Sequence, residues 1–342
     1  MTQELSNNTQ FNVAHFDEEL NRKVKSIFTD GTAANTIQAY RSDMNYITNW
    51  AFYSGLNSDM PLDKDIVVQF IVEHVEGLPD EIDQKLVEEG VKSDLGPHSI
   101  STIQRRVAAI STYHKLYGFE NPCEHSDVKT ILKKAKRAQV RRGWKPNKKM
   151  ATTAEIIEDM IKTCSDEVLI DLRDKAMIMF AFASGGRRRS EVVMASFDDL
   201  TKVPGGYIYT LPYSKTDQYG NEQLKVPIMG KAAIALKEWL DCIEKEVGYI
   251  FRAFTPSGKI KNSGLTDKTF NRIIKKRIKL AGYDDKVYSA HSIRSGFMTE
   301  GGRKNINILQ LMELSGHKSV QIAKGYYRGG NILNNPASNL LD

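Results

Sequence analysis

Apolar residues recur at helical spacing along most of the chain. From Asp17 onward, Leu20, Val24, Ile27 and Phe28 fall three and four residues apart and Gly31 closes the run, which predicts a first helix. A second is predicted over 35–53, with Ile37, Tyr40, Met44, Ile47 and Trp50 on one face and Gln38, Arg41 and Asn45 on another. A third spans 63–74 on an Ile66, Val67, Phe70, Ile71 stripe, and a fourth spans 99–117 on Ile103, Val107, Ile110 and Tyr113. Between these two, the acidic segment 76–94 is punctuated by Gly77, Pro79 and Gly90; it reads as a surface insertion with room for a short helix over 81–89. A fifth helix over 126–138 runs into Gly143-Trp144-Lys145-Pro146-Asn147, where glycine and proline break the pattern and mark the best domain boundary.

Beyond that boundary the pattern is mixed. Helices are predicted over 153–164 and 169–183, followed by a Gly185-Gly186 turn and a helix starting near Arg188. The period then drops towards two: 207–211 and 223–228 flank the polar connection 214–221, a hairpin with Lys215 near its turn. Helical spacing returns over 231–246, 266–280, 289–301, 307–314 and 320–327. The expected fold class is therefore mainly α with a small β-sheet. At 342 residues the chain exceeds what one hydrophobic core usually supports. We expect a disordered tail over 1–16, a helical domain over 17–138, a basic linker over 139–151 and a mixed α/β domain over 152–342.

Net charge, +6, decides little, but its distribution changes the picture. Lys133, Lys134, Lys136, Arg137, Arg141, Arg142, Lys145, Lys148 and Lys149 follow one another with no acid between Asp127 and Glu155, which points to a polyanionic partner. Cys123, Cys164 and Cys242 lie far apart with no Cys-x-x-Cys pair, against a zinc module or disulfide scaffold and in keeping with a reducing cytoplasm. No apolar run reaches the roughly 18 residues of a membrane span, and the polar N-terminus does not resemble a secretion signal. There is no Gly-x-x-x-x-Gly-Lys loop, and we expect neither cofactor nor metal.

The candidate chemistry lies in three clusters: Arg187-Arg188-Arg189-Ser190-Glu191, His291-Ser292-Ile293-Arg294, and Ser315-Gly316-His317 with Tyr326 nine residues after the histidine. A phosphodiester attacked by a phenol gathers negative charge on its non-bridging oxygens, which two guanidinium forks can neutralise. A phenol must lose its proton as it attacks, so a base is needed, and His291 is a candidate. Arg188 and Glu191 share a helix face, as do His291 and Arg294 on a helix that Ser289 can cap. The step from His317 to Tyr326 spans two and a half turns, so only the fold can bring those side chains together. Taken singly each piece is ordinary, since an Arg-x-x-Glu on a helix is usually a surface ion pair worth at most about 1 kcal/mol. The ordered set, after a helical domain and a basic linker, is what carries the signal.

In that order the residues resemble the tyrosine recombinases, or phage-type integrases, over nearly the whole chain, and within them the Cre-like site-specific recombinases. The resemblance implies Arg188 and Arg294 as the phosphate-binding arginines, Glu191 as a supporting acid, Lys215 as the hairpin lysine that protonates the leaving 5′-oxygen, His291 as an aid to proton removal, His317 as a hydrogen-bond partner of the phosphate, and Tyr326 as the nucleophile. Arg187 stands where the family usually has an apolar residue, so the register within the triple arginine rests on the three-residue step to Glu191, and Tyr326 is chosen over Tyr327 by spacing.

The resemblance also implies a helical-bundle core-binding domain and a catalytic domain forming a C-shaped clamp on double-stranded DNA at an inverted-repeat target. A homotetramer on two sites is implied, with a monomer or weak dimer when free and the segment after Asn331 docking on a neighbour. Base readers would be Gln38, Arg41, Thr102, Arg105, Arg106, Lys268 and Asn271, with further DNA contacts at Lys134, Arg137, Arg141, Arg142 and Arg252. The expected compartment is the cytoplasm, with a bacterial, phage or plasmid origin. Two rival readings stay open: a type IB topoisomerase or telomere resolvase, and a DNA-binding architectural protein without catalysis.

Overall fold

The computed structural model describes residue 26 and residues 31–32, 34–143, 148–212, 223–244 and 246–331. Most of the predicted first helix and the tail before it, the centre of the linker, Lys215 and the segment after 331 lie outside the described residues. The chain divides into two compact units, 1–146 and 147–342.

The first unit is a helical bundle. Helix α1 (Ala34–Tyr53) buries Tyr46, Ile47 and Trp50, and α2 (Lys64–Glu76) buries Val67, Phe70 and Ile71 against them. Helix α3 (Asp80–Glu88) follows, then α4 (Ile100–Tyr117), which adds Ile103, Val107 and Ile110, and α5 (Ser126–Arg141). Each large apolar side chain so buried contributes about 1.5–3 kcal/mol. Local chemistry sets the ends. The Asp63 carboxylate accepts from Asp65 N, the Ser99 hydroxyl accepts from Thr102 N, and Gly118 closes α4 in the left-handed region at φ 69°.

The acidic segment differs from the expected surface insertion because it is tied into this core. Leu86 of α3 is fully buried. Asp83 and Lys92 form an interior ion pair, the Lys92 ammonium also donates to the Gly96 carbonyl at 2.5 Å, and Gly96 N donates to Asp83 Oδ2 at 2.7 Å. Paired charges with their remaining hydrogen bonds filled tolerate burial, whereas a lone one does not. Asp83→Ala, which strands the Lys92 ammonium, is expected to destabilise the protein by roughly 3 kcal/mol in urea unfolding, and a loss under about 1 kcal/mol would show that the segment is a detachable surface loop.

The second unit combines helices with two small sheets. Helices α6 (Ala154–Lys162), α7 (Leu169–Ala183) and the short α8 (Arg189–Val193) lead into the meander β1 (Leu200–Val203), β2 (Gly206–Thr210) and β3 (Lys225–Met229). In β2 and β3 the inward residues Tyr207 and Tyr209 lie opposite Ile228 and Val226, while Pro227 is tolerated because β3 is an edge strand. Helix α9 (Gly230–Leu240) comes next, then the pair β4 (Arg252–Phe254) and β5 (Ile260–Gly264). The chain continues through α10 (Asp267–Leu280), α11 (Ala290–Arg303), α12 (Ile308–Ser315) and α13 (Val320–Asn331).

Helix α9 stops earlier than its pattern suggests, because the chain turns to bring Ile250 and Phe251 into the core, where the Trp239 indole donates to the Ile250 carbonyl at 2.9 Å. Arg277 of α10 is buried and reaches Asp174 of α7 at 2.8 Å and the Thr163 carbonyl at 2.9 Å, and it also pairs with Asp171. These bonds fasten α10 to the α6–α7 pair. Among the described residues no helix is long and apolar enough to cross a membrane.

Candidate active site

The site begins where α7 ends. Gly185 and Gly186 take φ of 92° and 69°, a left-handed turn that side chains disfavour. Space forbids a side chain as well: a Cβ on Gly185 would lie 2.4 Å from the Leu314 carbonyl oxygen, and one on Gly186 would lie 2.6 Å from Arg294 Cα. The turn thus sets the arginine cluster directly against α11 and the end of α12.

The three arginines then diverge. Arg187 is 2% exposed and its Nη2 donates to the Leu314 carbonyl at 2.5 Å. Arg188 is partly exposed, and its Nη1 donates to Glu191 Oε1 at 2.6 Å while its backbone N donates to Oε2 at 3.1 Å. Arg189 points away to Asp267 at 3.6 Å. Glu191, 6% exposed, is the carboxylate around which this turn is organised.

Helix α11 supplies the next groups. Arg294 is 4% exposed, and its Nη1 donates to the Gly186 carbonyl at 3.0 Å. Its Nη2 is buried with no hydrogen-bond partner among the described residues. Burial, then Arg188 and Arg187, push its pKa down to about 10, against the opposing effects of Glu191 and the Tyr326 phenol. A guanidinium with an unfilled donor among like charges attracts anions. His291 stands one turn earlier with its ring exposed; desolvation, then Arg294, Arg188 and Arg189, lower its pKa. The start of this helix is held by Asn271, whose Oδ1 accepts from Ala290 N at 3.0 Å. Ser289 occupies the N-cap position, yet the bond there runs from its backbone N to Ser292 Oγ at 3.0 Å.

The last two groups come from the C-terminal helices. Gly316 ends α12 in the left-handed region at φ 69°, and the Ser315 hydroxyl lies 2.6 Å from His317 Nδ1. Desolvation, then the cations Arg294, Arg188 and Arg187, lower the His317 pKa to about 4. The fold brings Tyr326 beside it, with ring centroids 6.5 Å apart. Helix α13 is fastened to α11 by the Thr299 hydroxyl donating to the Tyr326 carbonyl at 3.3 Å, and by Gly330, where a Cβ would lie 1.8 Å from the Thr299 carbonyl oxygen. Tyr326 and Tyr327 both pack on the small cluster of Met298, Leu311 and Ala323. Lys215 lies outside the described residues, but the base of its hairpin is present: Leu211 N donates to the Leu224 carbonyl at 2.8 Å. Leu224 in turn sits next to Gly316, with its Cδ2 3.6 Å from where a glycine Cβ would be.

The residues expected to touch DNA separate into two groups. Gln38, Arg41, Arg105, Lys134, Arg137, Arg141, Arg142 and Lys268 are exposed. Arg105 pairs with the buried Asp43 and Arg142 with Glu76. Thr102 is half-buried at the start of α4, its hydroxyl 3.0 Å from that of Ser99. Arg106 departs from the expectation of a groove-facing side chain: it is 6% exposed, its guanidinium 3.1 Å above the Tyr46 ring and its Nη1 2.5 Å from His98 Nε2. Arg252 is likewise interior, donating to the Tyr249 and Val247 carbonyls at 3.0 and 2.6 Å. Asn271 caps α11 through Ala290 N rather than standing free. Sequence reasoning missed Arg187, Asp43 and Thr299 as organising groups; only Arg187 left a trace, as an arginine at an apolar position.

Residues 151–330 match the phage integrase family. Over 336 residues the chain is 33% identical to an integrase/recombinase XerD homologue of Selenomonas ruminantium, covering 95% of this chain and 90% of the relative. The tyrosine recombinase XerC of Herpetosiphon aurantiacus is 25% identical over 303 residues, covering 86% and 85%. Among solved structures, the Tn1549 transposon integrase in complex with transposon right end DNA shares the fold with a TM-score of 0.59 at 12% identity, over 92% of this chain and 98% of that one. XerH recombinase bound to palindromic difH substrate shares it with a TM-score of 0.55 at 16% identity, over 85% and 76%.

The fold and these relatives define a class, the site-specific recombinases of the tyrosine type. The chain belongs to the phage integrase family, with relatives of the XerC and XerD kind.

The charge arrangement has a spectroscopic consequence. In the free protein the His317 ring should titrate by NMR with a midpoint near 4, and Arg188→Gln, which removes a neighbouring cation, should move that midpoint upward towards the ordinary value of 6.5. A wild-type midpoint already near 6.5 would contradict the clustered-cation geometry.

Proposed function

We propose that the protein recombines double-stranded DNA at inverted-repeat target sites through a covalent 3′-phosphotyrosyl intermediate on Tyr326. The observation that carries this reading is a cluster in which Arg188 and Arg294 lie close enough to repel, the buried Arg294 Nη2 has no partner among the described residues, and the Tyr326 ring stands beside His317.

In this reading the Tyr326 oxygen forms a bond to phosphorus as the bond to the 5′-oxygen breaks. Arg188 and Arg294 bind the non-bridging oxygens and offset the charge that builds on them. His291 is mostly neutral near pH 7 because its pKa is lowered, so it can accept the phenol proton. Lys215, carried on the β2–β3 connection, returns a proton to the leaving 5′-oxygen. A Ser315 hydroxyl that donates to His317 Nδ1 leaves the ring proton on Nε2, where it can donate to a phosphate oxygen. The 5′-hydroxyl of a second duplex then attacks the phosphotyrosine, and bond number is conserved, so the cycle needs no nucleotide energy.

Each unit would contribute its own contacts to the duplex. Gln38, Arg41 and Arg105 are exposed on α1 and α4, where they can face base edges, while Lys134, Arg137 and Arg141 along α5 suit phosphates. Asp43 steers Arg105, so its guanidinium is presented in a restrained direction. A Cre-like arrangement of four protomers on two sites completes the proposal.

On a nicked target duplex that traps cleavage, Tyr326→Phe should abolish the covalent adduct and Tyr327→Phe should retain it. Adduct that persists in Y326F and vanishes in Y327F would reassign the nucleophile. The retained activity should exchange flanks between two target sites; relaxation of supercoils without exchange would point to a topoisomerase instead.

A further inference from the structure

Arg187 poses a physical problem. It is 2% exposed, inside a unit whose interior is otherwise largely apolar, and a buried cation costs several kcal/mol unless its environment compensates. Its compensation is specific. Nη2 donates to the Leu314 carbonyl at 2.5 Å, Nη1 lies 3.8 Å from Glu191 Oε2, and Nε has no partner among the described residues. Leu314 is in the last turn of α12, where carbonyls lack intrahelical donors. The Met312 carbonyl is taken by Gly316 N at 2.8 Å and His317 N at 3.2 Å, and Arg187 takes that of Leu314. The turn that presents His317 is therefore pinned from inside by a guanidinium 127 residues earlier in the chain.

The same side chain lies beside the carboxylate that holds Arg188. Glu191 thus faces two cations, one interior and one at the mouth of the site.

We propose that Arg187 is a positioning residue of the recombinase site: its guanidinium fixes the end of α12, and with it the His317 ring, while anchoring the Glu191 carboxylate that aims Arg188. It touches no substrate. This inference rests on the phosphate site proposed above, and it assigns a role to the one arginine of the triple run that faces inward.

The test uses full-length Arg187→Met and Arg187→Lys with a nicked target duplex. The readouts are adduct formation in a single turnover across pH, target affinity, and the His317 titration by NMR. For R187M we expect affinity within about threefold of wild type but adduct formation roughly 10- to 100-fold slower, since small misplacements of reacting groups cost that much. Its His317 midpoint should rise, because a nearby cation has gone, and the pH profile should shift with it. R187K keeps the charge but cannot hold both partners, so its rate should fall between the two.

A wild-type rate and an unmoved His317 midpoint in R187M would overturn the proposal. So would a slow R187M whose His317 midpoint and pH profile are unchanged, the mark of general packing. If R187M fails to fold, R187K decides: parity with wild type in both rate and midpoint overturns the proposal. Absence of adduct from the unaltered protein would instead overturn the catalytic reading, and the His317 midpoint of R187K, which keeps the charge, would still decide whether Arg187 positions that ring.

Discussion

Like-charge repulsion is the constraint around which the second unit is built. Arg187, Arg188 and Arg294 gather beside a single carboxylate, Glu191, with His291 and His317 close by. The free protein tolerates the cluster because backbone carbonyls absorb part of it: Gly186 accepts from Arg294, and Leu314 from Arg187. Both carbonyls come within reach only because Gly185 and Gly186 let the chain pass where a Cβ would clash with Leu314 and Arg294. What is left over is net positive potential and an unfilled donor, a combination that favours a phosphate over water. Burial lowers the pKa values of both histidines and the same surplus of positive charge adds to it, so each ring resists a proton it would otherwise take.

The first unit solves a different problem, how to hold a polar cluster inside a helical bundle. His74 is buried, with Nδ1 2.6 Å from the Phe70 carbonyl; since a carbonyl can only accept, Nδ1 carries the proton and Nε2 accepts from the Tyr46 hydroxyl at 2.8 Å. Arg106 covers the other side of Tyr46 and reaches His98 and Asp43. Burial lowers the pKa of His74 and His98 to about 3. Their neutral forms are favoured in the fold, so this contribution is fully present above about pH 6.5 and is lost as acid drives the pH down towards 3. The network also leaves Arg105, next to Arg106 in sequence, as the arginine that α4 presents outward.

Much of this was legible in the sequence, and what was not has physical causes. Helices with a strong apolar stripe, such as those bearing Trp50 and Ile103, declare themselves by period alone. Strands β1, Leu200–Val203, and β5, Ile260–Gly264, do not: they are short, and their pairing partners rather than their patterns make them strands. Arg188, Glu191, His291, Arg294, His317 and Tyr326 were nominated by residue type and order, and the fold draws them into one region of the second unit. Arg106 and Arg252 misled because an arginine on a polar stretch gives no sign that a Tyr46 ring or a pair of carbonyls awaits it inside. Asn271 misled in a similar way, since its partner is a helix start 19 residues away.

The central claim is that one phenol becomes covalently joined to DNA at this cluster of guanidinium groups. Its most direct measurement is to digest the trapped protein–DNA adduct of the unaltered enzyme with protease and nuclease, and to locate the nucleotide-bearing residue by tandem mass spectrometry. The account predicts a phosphodiester on the oxygen of Tyr326 in the peptide that also contains Tyr327. A nucleotide on Tyr327, or on any residue outside α13, would contradict it.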